Sequence, residues 1–361
     1  NMVDVVANVS QITPEWLTQA LRANGSIKSS VTDVNLGVIG AGVGLMGELA
    51  RLEMTFESPE DMPSVIIAKI AAQNENREVA KILDFYNREA NFYNKVADQI
   101  PFNVPASYFA KVNDETYDCV ILMEDLGDVS PNDQLVGASE EEAFSAIERI
   151  ASMHAIYWDN VRSPEHSWMY DFMSVHEAER LQTLLYMPGL TPTIENFGAF
   201  LDAESTSILT RTGEQYLDVW ANNMFSQETF IHGDFRQDNF IYPKDSLDAV
   251  ILDWQISGCG KGVFDFTYFV CQSLKSDVRK RIEKQLVEFY VEKLREGGVT
   301  DYSFEQCWSD YRRMVLGCLI YPITVCGTLD LANERGQALA ECMLERNLSA
   351  IADLGSAELL K

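Results

Sequence analysis

Basic residues are scarce in this chain. Its 361 residues hold 28 Lys plus Arg against 55 Asp plus Glu, a formal net charge of −27. That balance repels phosphate backbones and anionic lipid, so neither nucleic acid nor a membrane is an expected partner. A cationic substrate is compatible with it but not required, because a solvated acidic surface gives the same count. No C-x-x-C pair and no H-E-x-x-H occur, and the seven cysteines are odd in number and scattered, which argues against a disulfide framework or a structural zinc. Most of the cysteines stand in apolar surroundings, and no basic-then-apolar segment marks a secretory signal, so a reducing, cytoplasmic setting is expected. The longest uncharged stretch, Met314 to Leu329, falls short of the roughly 20 residues of a membrane span and contains Pro322. It reads as a buried helix. A G-x-x-x-x-G-K-[ST] P-loop, internal repeats and low-complexity tracts are also missing.

What is present is enough apolar sequence for about two units, each with its own core. Thr13-Pro14-Glu15 ahead of Trp16 is a helix start, and Gly25 is its stop. A Gly-rich stretch, Gly37 to Gly47, leads into strict alternation from Ala50 to Phe56, the signature of a half-buried strand. Residues 65–70 form a second strand, apolar except for Lys69. Residues 75–99 carry a helical stripe of Ile82, Phe85, Phe92 and Val96, on which Glu89 also falls. Ser107–Lys111 and Tyr117–Met123 form a hairpin about Asn113-Asp114. Strands then largely stop. Ser139-Glu140-Glu141-Glu142 is a capping box opening a helix to Trp158. Further helices are expected at about 172–186, 195–225, 264–275, 277–296, 303–330 and 332–352. A strand-rich first third and a helical remainder imply two lobes joined near Glu124–Gly127.

The chemistry concentrates at residues 230–241, where His232-x-Asp234 is followed by Asn239 and bounded by apolar pairs. Phosphoryl transfer to a hydroxyl needs a carboxylate beside the attacking oxygen and an oxygen ligand for Mg²⁺ nearby, and a kinase catalytic loop supplies both at this spacing. Taken alone, the segment has a lesser alternative reading as a polar loop with an accidental His and Asp. Asp253 ends the apolar run Val250–Leu252, the position of the Mg²⁺-binding Asp in kinases, although a strand-end Asp is often only a cap. Lys69 in an apolar strand and Glu89 on an apolar helix stripe are each expensive alone and cheap as a pair. Gly42, Gly44 and Gly47 satisfy G-x-G-x-x-G, and the strand that follows them, rather than a helix, points to a phosphate-covering turn and away from a dinucleotide fold.

In this combination the chain resembles the aminoglycoside phosphotransferase and choline-kinase superfamily, most closely its ecdysteroid-kinase-like branch. The resembling parts run in order: Gly40–Phe56, Val65–Ile70, Glu89-x-x-Phe92-Tyr93, Leu122–Gly127, His232–Asn239, Ile251–Gln255 and Gly262–Phe269. The resemblance implies an α+β, protein-kinase-like two-lobe fold. Residues 1–126 would be a small nucleotide-binding lobe of antiparallel sheet plus helix, and residues 127–361 a larger, mostly helical lobe with the catalytic loop and acceptor pocket. It implies that Lys69 holds the α- and β-phosphates of ATP or GTP and that Glu89 orients it. The backbone of Glu124 and Leu126 would meet adenine, Asn239 and Asp253 would ligate Mg²⁺, and Asp234 would accept the substrate proton. Asp265 and His154 match positions of structural use in this branch, and Trp254-Gln255 after the metal Asp is usual there.

The expected activity is therefore phosphoryl transfer to a hydroxyl of a small molecule. The alternative is a pseudokinase, a nucleotide-binding interaction module without turnover. A protein kinase would need a long activation segment after Asp253, and only about ten residues precede the next helix. The acceptor is not named by the sequence. Trp168, Tyr170, Tyr186, Trp220, Trp308 and Tyr321 fall where the acceptor pocket is expected, though periodicity assigns most of them to the core.

Overall fold

The computed structural model describes residues 2–40, 46–127, 129, 131–221, 224–328 and 333–361. The chain divides into two compact units, one of Asn1–Ser130 with Val250–Ile256, the other of Pro131–Ala249 with Ser257–Lys361. The sequence alone places 250–256 with the later residues. In the structure these seven residues return to the first unit.

The first unit is built on a five-stranded sheet. Its strands are β1 (Val31–Gly40), β2 (Gly47–Phe56), β3 (Val65–Ala71), β4 (Ser107–Val112) and β5 (Cys119–Glu124), all antiparallel in the order β1-β2-β3-β5-β4. Alternation along a strand sends successive side chains to opposite faces. Ala50, Leu52, Met54, Ile66, Ala68, Ile70, Val120 and Leu122 thus share one core with Leu17, Ala20 and Leu21 of α1 (Pro14–Ala23). The same parity turns Lys69 to the other face. Helix α1 starts as expected: Thr13 Oγ1 accepts from Trp16 N at 3.1 Å, and Gly25 lies beyond its end at φ +73°.

The single helix expected over 75–99 is instead α2 (Asn76–Ile82), α3 (Phe85–Lys95) and a short 3₁₀ turn, Ala97–Gln99. Asp84 breaks it, held at φ +55° with its carboxylate accepting from Tyr117 Oη at 2.9 Å and from Asn87 Nδ2 at 2.9 Å. The break rotates the two halves out of phase. Ile82, expected on the buried stripe, is half exposed, while Phe85, Phe92 and Val96 are buried.

The second unit is mainly helical: α4 (Glu140–Tyr157), α5 (Val175–Leu181), α6 (Met187–Phe197), α7 (Ala203–Glu214), α8 (Tyr216–Ala221), α9 (Gly262–Ser273), α10 (Ser276–Glu296), α11 (Phe304–Gly317), α12 (Ile320–Thr328) and α13 (Glu334–Asp353). The Ser139 capping box forms, its hydroxyl accepting from Glu142 N and Glu142 Oε1 from Ser139 N, an arrangement worth about 1 kcal/mol. The helix expected over 195–225 breaks into α6, α7 and α8, interrupted by a 3₁₀ turn at Gly198–Phe200 and by Gln215. The stretch expected as one helix over 303–330 turns between α11 and α12, and Pro322 sits in the first turn of α12, where its missing N–H is no loss. Every residue of α9 is buried, its polar Asp265, Thr267, Gln272 and Ser273 included. Beside it runs a two-stranded ribbon, Glu228–Ile231 with Gly258–Lys261. Among the described residues no helix is long and apolar enough to cross a membrane.

Candidate active site

The residues singled out by the sequence fall into two groups, one in each unit. In the first unit, Lys69 Nζ and Glu89 Oε2 are 2.6 Å apart, with 18% and 4% of their side chains exposed. Burial alone would pull the Lys69 ammonium down, but Glu89 and then Asp253 outweigh it and hold it above its ordinary value. The pair is thus a fixed positive point with its counter-charge behind it.

Asp253 stands close enough to both for its charge to act on them. Its backbone is left-handed at φ +62°, and its Oδ1 is buried with no hydrogen-bond partner among the described residues. One ammonium and two carboxylates leave this buried group with an excess negative charge. An unpartnered carboxylate oxygen in such a place is destabilising unless a cation or donor meets it. The residues present fit a divalent ion of oxygen preference such as Mg²⁺.

Gly47 opens β2 opposite Ala71. A Cβ there would stand 2.7 Å from Ile70 O and 3.4 Å from the Lys69 side chain, so only glycine lets the two strands approach beside Lys69. Gly42 and Gly44 lie outside the described residues. Glu124 ends β5, its N–H donating to Ala106 O at 2.8 Å, and is followed by Asp125, whose Oδ2 binds Arg51 Nε at 2.9 Å and whose Oδ1 accepts from Gly127 N at 2.9 Å. Leu126 is thus carried on a segment pinned to β2.

In the second unit, the catalytic-loop motif follows the ribbon strand Glu228–Ile231. Gly233 takes φ +85°, a turn open to glycine, and places Asp234 beyond it, 8% exposed. Asp234 Oδ1 accepts from Arg236 Nε at 3.1 Å and Oδ2 from Asn239 Nδ2 at 3.1 Å. Asn239 Nδ2 also donates to Asp234 O at 2.9 Å, which leaves its amide oxygen as the atom to meet a cation. The motif spacing thus closes on itself as a five-residue loop. Asp265 of α9 holds this loop from behind, accepting from His232 N at 2.8 Å and Gly233 N at 2.9 Å. Its structural reading from the sequence, like that of His154, has a direct physical basis here.

Three further side chains hold Asp234 and the loop that carries it, and of these the sequence pointed only to Tyr321, as an aromatic where the acceptor pocket is expected. Arg236 also reaches Gln134 Oε1 and Asp238 Oδ2, forming a fork that fixes the loop. Tyr321 of α12 donates its hydroxyl to Gly233 O, and the Tyr268 hydroxyl meets Asp234 itself. The two rings stack at 4.3 Å. Burial, and then the Asp234 charge, push both phenols well up, so each remains a neutral donor. Of the other aromatics noted in the sequence, Tyr186 and Trp220 are fully buried core. Only the adjacency of Arg236 to the motif could have signalled its part.

The fold is that of the protein-kinase-like phosphotransferases of small molecules. The chain belongs to the ecdysteroid kinase-like family, whose pattern matches residues 42–299. Among solved structures it is similar to choline kinase from Cryptosporidium parvum Iowa II, at 13% identity over 91% of each chain with a TM-score of 0.59. It is also similar to the GDP complex of a single-residue variant of aminoglycoside 2'-phosphotransferase-IIIa, at 12% identity over 93% of this chain and 97% of that one (TM-score 0.53). A third is amicoumacin kinase bound to AMP-PNP and Ca²⁺, at 12% identity over 86% and 87% (TM-score 0.51). Among curated proteins no sequence match is found.

Proposed function

We propose that this protein transfers the γ-phosphoryl group of ATP or GTP, with Mg²⁺, to a hydroxyl of a small molecule. The observation that carries this reading is the buried Lys69–Glu89 pair beside Asp253, whose Oδ1 has no partner among the described residues. Residues 1–126, with Gly42, Gly44 and Gly47, serve the nucleotide: Lys69 holds the α- and β-phosphates, Glu89 orients Lys69, and the backbone at Glu124 and Leu126 receives adenine. Residues 127–361, apart from Asn239 and Asp253, serve the acceptor.

Asp253 and the Asn239 amide oxygen would hold Mg²⁺, which when bound would supply neutralisation of the phosphate oxygens. Asp234 accepts the proton of the acceptor hydroxyl as that oxygen forms its bond to the γ-phosphorus. The bond from the γ-phosphorus to the bridging oxygen breaks, and the nucleoside diphosphate leaves with that oxygen. Arg236 and Asn239 keep the Asp234 carboxylate aimed, and Asp265 keeps the loop beneath it in place. The seven cysteines are free and, Cys342 apart, buried, which suits a reducing cytoplasm.

The test is direct. The protein is incubated with ATP or GTP, Mg²⁺ and a library of hydroxyl compounds that includes amino alcohols, aminoglycosides and sterols, and products heavier by a phosphoryl group are sought by mass spectrometry. Binding of nucleotide is followed separately by calorimetry. A protein that binds neither nucleotide with Mg²⁺ present sinks the reading. Nucleotide binding without any phosphorylated product across the library would favour the non-catalytic alternative.

A further inference from the structure

Arg88, Glu89 and Phe92, on two successive turns of α3, converge on the nucleotide-side group, and only Glu89 is accounted for by the roles above. Arg88 is buried, 5% exposed, with Nη1 donating to Leu83 O at 3.1 Å and Nη2 to Ile256 O at 2.5 Å. Phe92, one turn further, stacks on Trp254 with ring centroids 3.8 Å apart and planes within 3°. We infer that Arg88 and the Phe92–Trp254 stack are positioning residues for Asp253, setting its carboxylate for the Mg²⁺–nucleotide complex. The inference rests on the reading proposed above.

A left-handed backbone at a non-glycine residue is unfavourable by roughly 1–2 kcal/mol and persists only where the surroundings over-determine it. Asp253 at φ +62° is held on both sides. Before it, Ile251 N donates to Asn103 O at 2.9 Å, and Trp254 Nε1 folds back to Ile251 O at 3.0 Å. After it, Ile256 O is bound by Arg88, and the Trp254 indole lies against Phe92 and, more loosely, Phe102 at 6.3 Å. Within this pinned segment Asp253 Oδ1 is left without a partner among the described residues. A buried guanidinium is expensive, and an aliphatic residue would fill the same place more cheaply. Among the bonds that hold it, the one to Ile256 O ties α3 to the Asp253 segment.

The helix that does this is itself anchored. Tyr86 Oη donates to Met46 O at 2.6 Å and accepts from Ala72 N at 2.8 Å, and Asn94 Nδ2 donates to Ala110 O at 3.0 Å. One helix therefore fixes Lys69 through Glu89, the start of β2 through Tyr86, and Asp253 through Arg88 and Phe92. Supporting groups behind a metal ligand typically govern affinity by about 10–100-fold.

Calorimetric titration of ATP, in EDTA and across a Mg²⁺ series, separates positioning from mere stability. Arg88→Leu should bind ATP in EDTA within about twofold of wild type, yet need at least about tenfold more Mg²⁺ for half its full affinity, with Arg88→Lys between the two. Trp254→Phe keeps the stack but loses the Nε1 bond to Ile251 O, so it should fall between wild type and Trp254→Ala, and Trp254→Ala should behave like Arg88→Leu. This second pair decides the matter if Arg88→Leu does not fold. Equal losses in EDTA and in Mg²⁺ would mean a structural role only and overturn the inference, as would unchanged Mg²⁺ dependence in Arg88→Lys and Trp254→Ala. If wild type itself gains nothing from Mg²⁺, the proposed function fails and takes the inference with it. A Mg²⁺-dependent wild type with indifferent variants leaves that function standing and removes only the positioning role.

Discussion

Asp265 Oδ2 lies 2.9 Å from His154 Nε2, and both side chains are fully buried. Because the carboxylate can only accept, the imidazole donates from Nε2, and the Tyr290 hydroxyl, 2.7 Å away, donates to Nδ1. Tyr290 is pushed well up by burial and stays a phenol. The line Tyr290–His154–Asp265 therefore ends in two backbone N–H groups of the catalytic loop. His154→Phe keeps a ring but leaves the Tyr290 hydroxyl unsatisfied and removes one donor from Asp265. A loss of about 1–3 kcal/mol in urea unfolding is expected, with nucleotide affinity little changed. An unshifted unfolding midpoint would show that the line carries no stability.

Lys69 and Glu89 are expected to act as a unit. Losses of ATP affinity in Lys69→Met and Glu89→Gln should be clearly less than additive in the double variant, with a coupling of about 0.5–3 kcal/mol. Simple additivity would contradict the 2.6 Å pairing.

Asp234 and Asp253 should separate by assay. Asp234→Asn keeps the shape and removes the basicity, so turnover should fall by about 10²–10⁴-fold while ATP binding is retained. Asp253→Asn should weaken Mg²⁺-dependent nucleotide binding as well as turnover. An Asp234→Asn protein within a few-fold of wild-type turnover, with chemistry rate-limiting, takes Asp234 out of the mechanism.

A pH test is available away from the catalytic groups. Asp171, Glu228 and Cys259 come together in the second unit, and Arg162 binds both carboxylates. The Arg162 hydrogen bond holds the Glu228 carboxyl below its ordinary value of 4.5. A depressed carboxylate stabilises the fold above its unfolded pKa, and that stabilisation is lost as pH falls through the folded one. Arg162→Ala should thus lower the melting temperature at pH 7, and the difference should shrink as pH falls below 4.5. A difference that persists unchanged into acid would place its origin in packing.

What the sequence revealed was local, and what it concealed was tertiary. Thr13, Pro14 and Gly25 bound α1 by their own backbone preferences, and Ser139 with Glu142 caps α4 without outside help. The strands β2 and β3 follow from alternation against one core. Asp84 breaks the 75–99 helix because Tyr117, distant in sequence, binds its carboxylate. No pattern in the helix announces that. Likewise β1 gives no alternating signal, since Leu36, Val38 and Ile39 at this sheet edge are all substantially exposed. The 232–239 loop was readable because His232, Asp234 and Asn239 stand within eight residues of one another. The grip of Arg88 on Ile256 joins residues 168 apart, and spacing carries no trace of it.

The return of Val250–Ile256 to the first unit sets an order of assembly during synthesis. The sheet and α3 leave the ribosome long before Trp254, so until then Phe92 and Phe102 lack the indole they pack against. Closing a loop of that length adds little free energy per residue, but the contact cannot form before the chain supplies it. The first unit is thus finished late, only after about half of the second unit's chain has been made. A chain that stops short of residue 250 carries Lys69 and Glu89 without the carboxylate that completes their group.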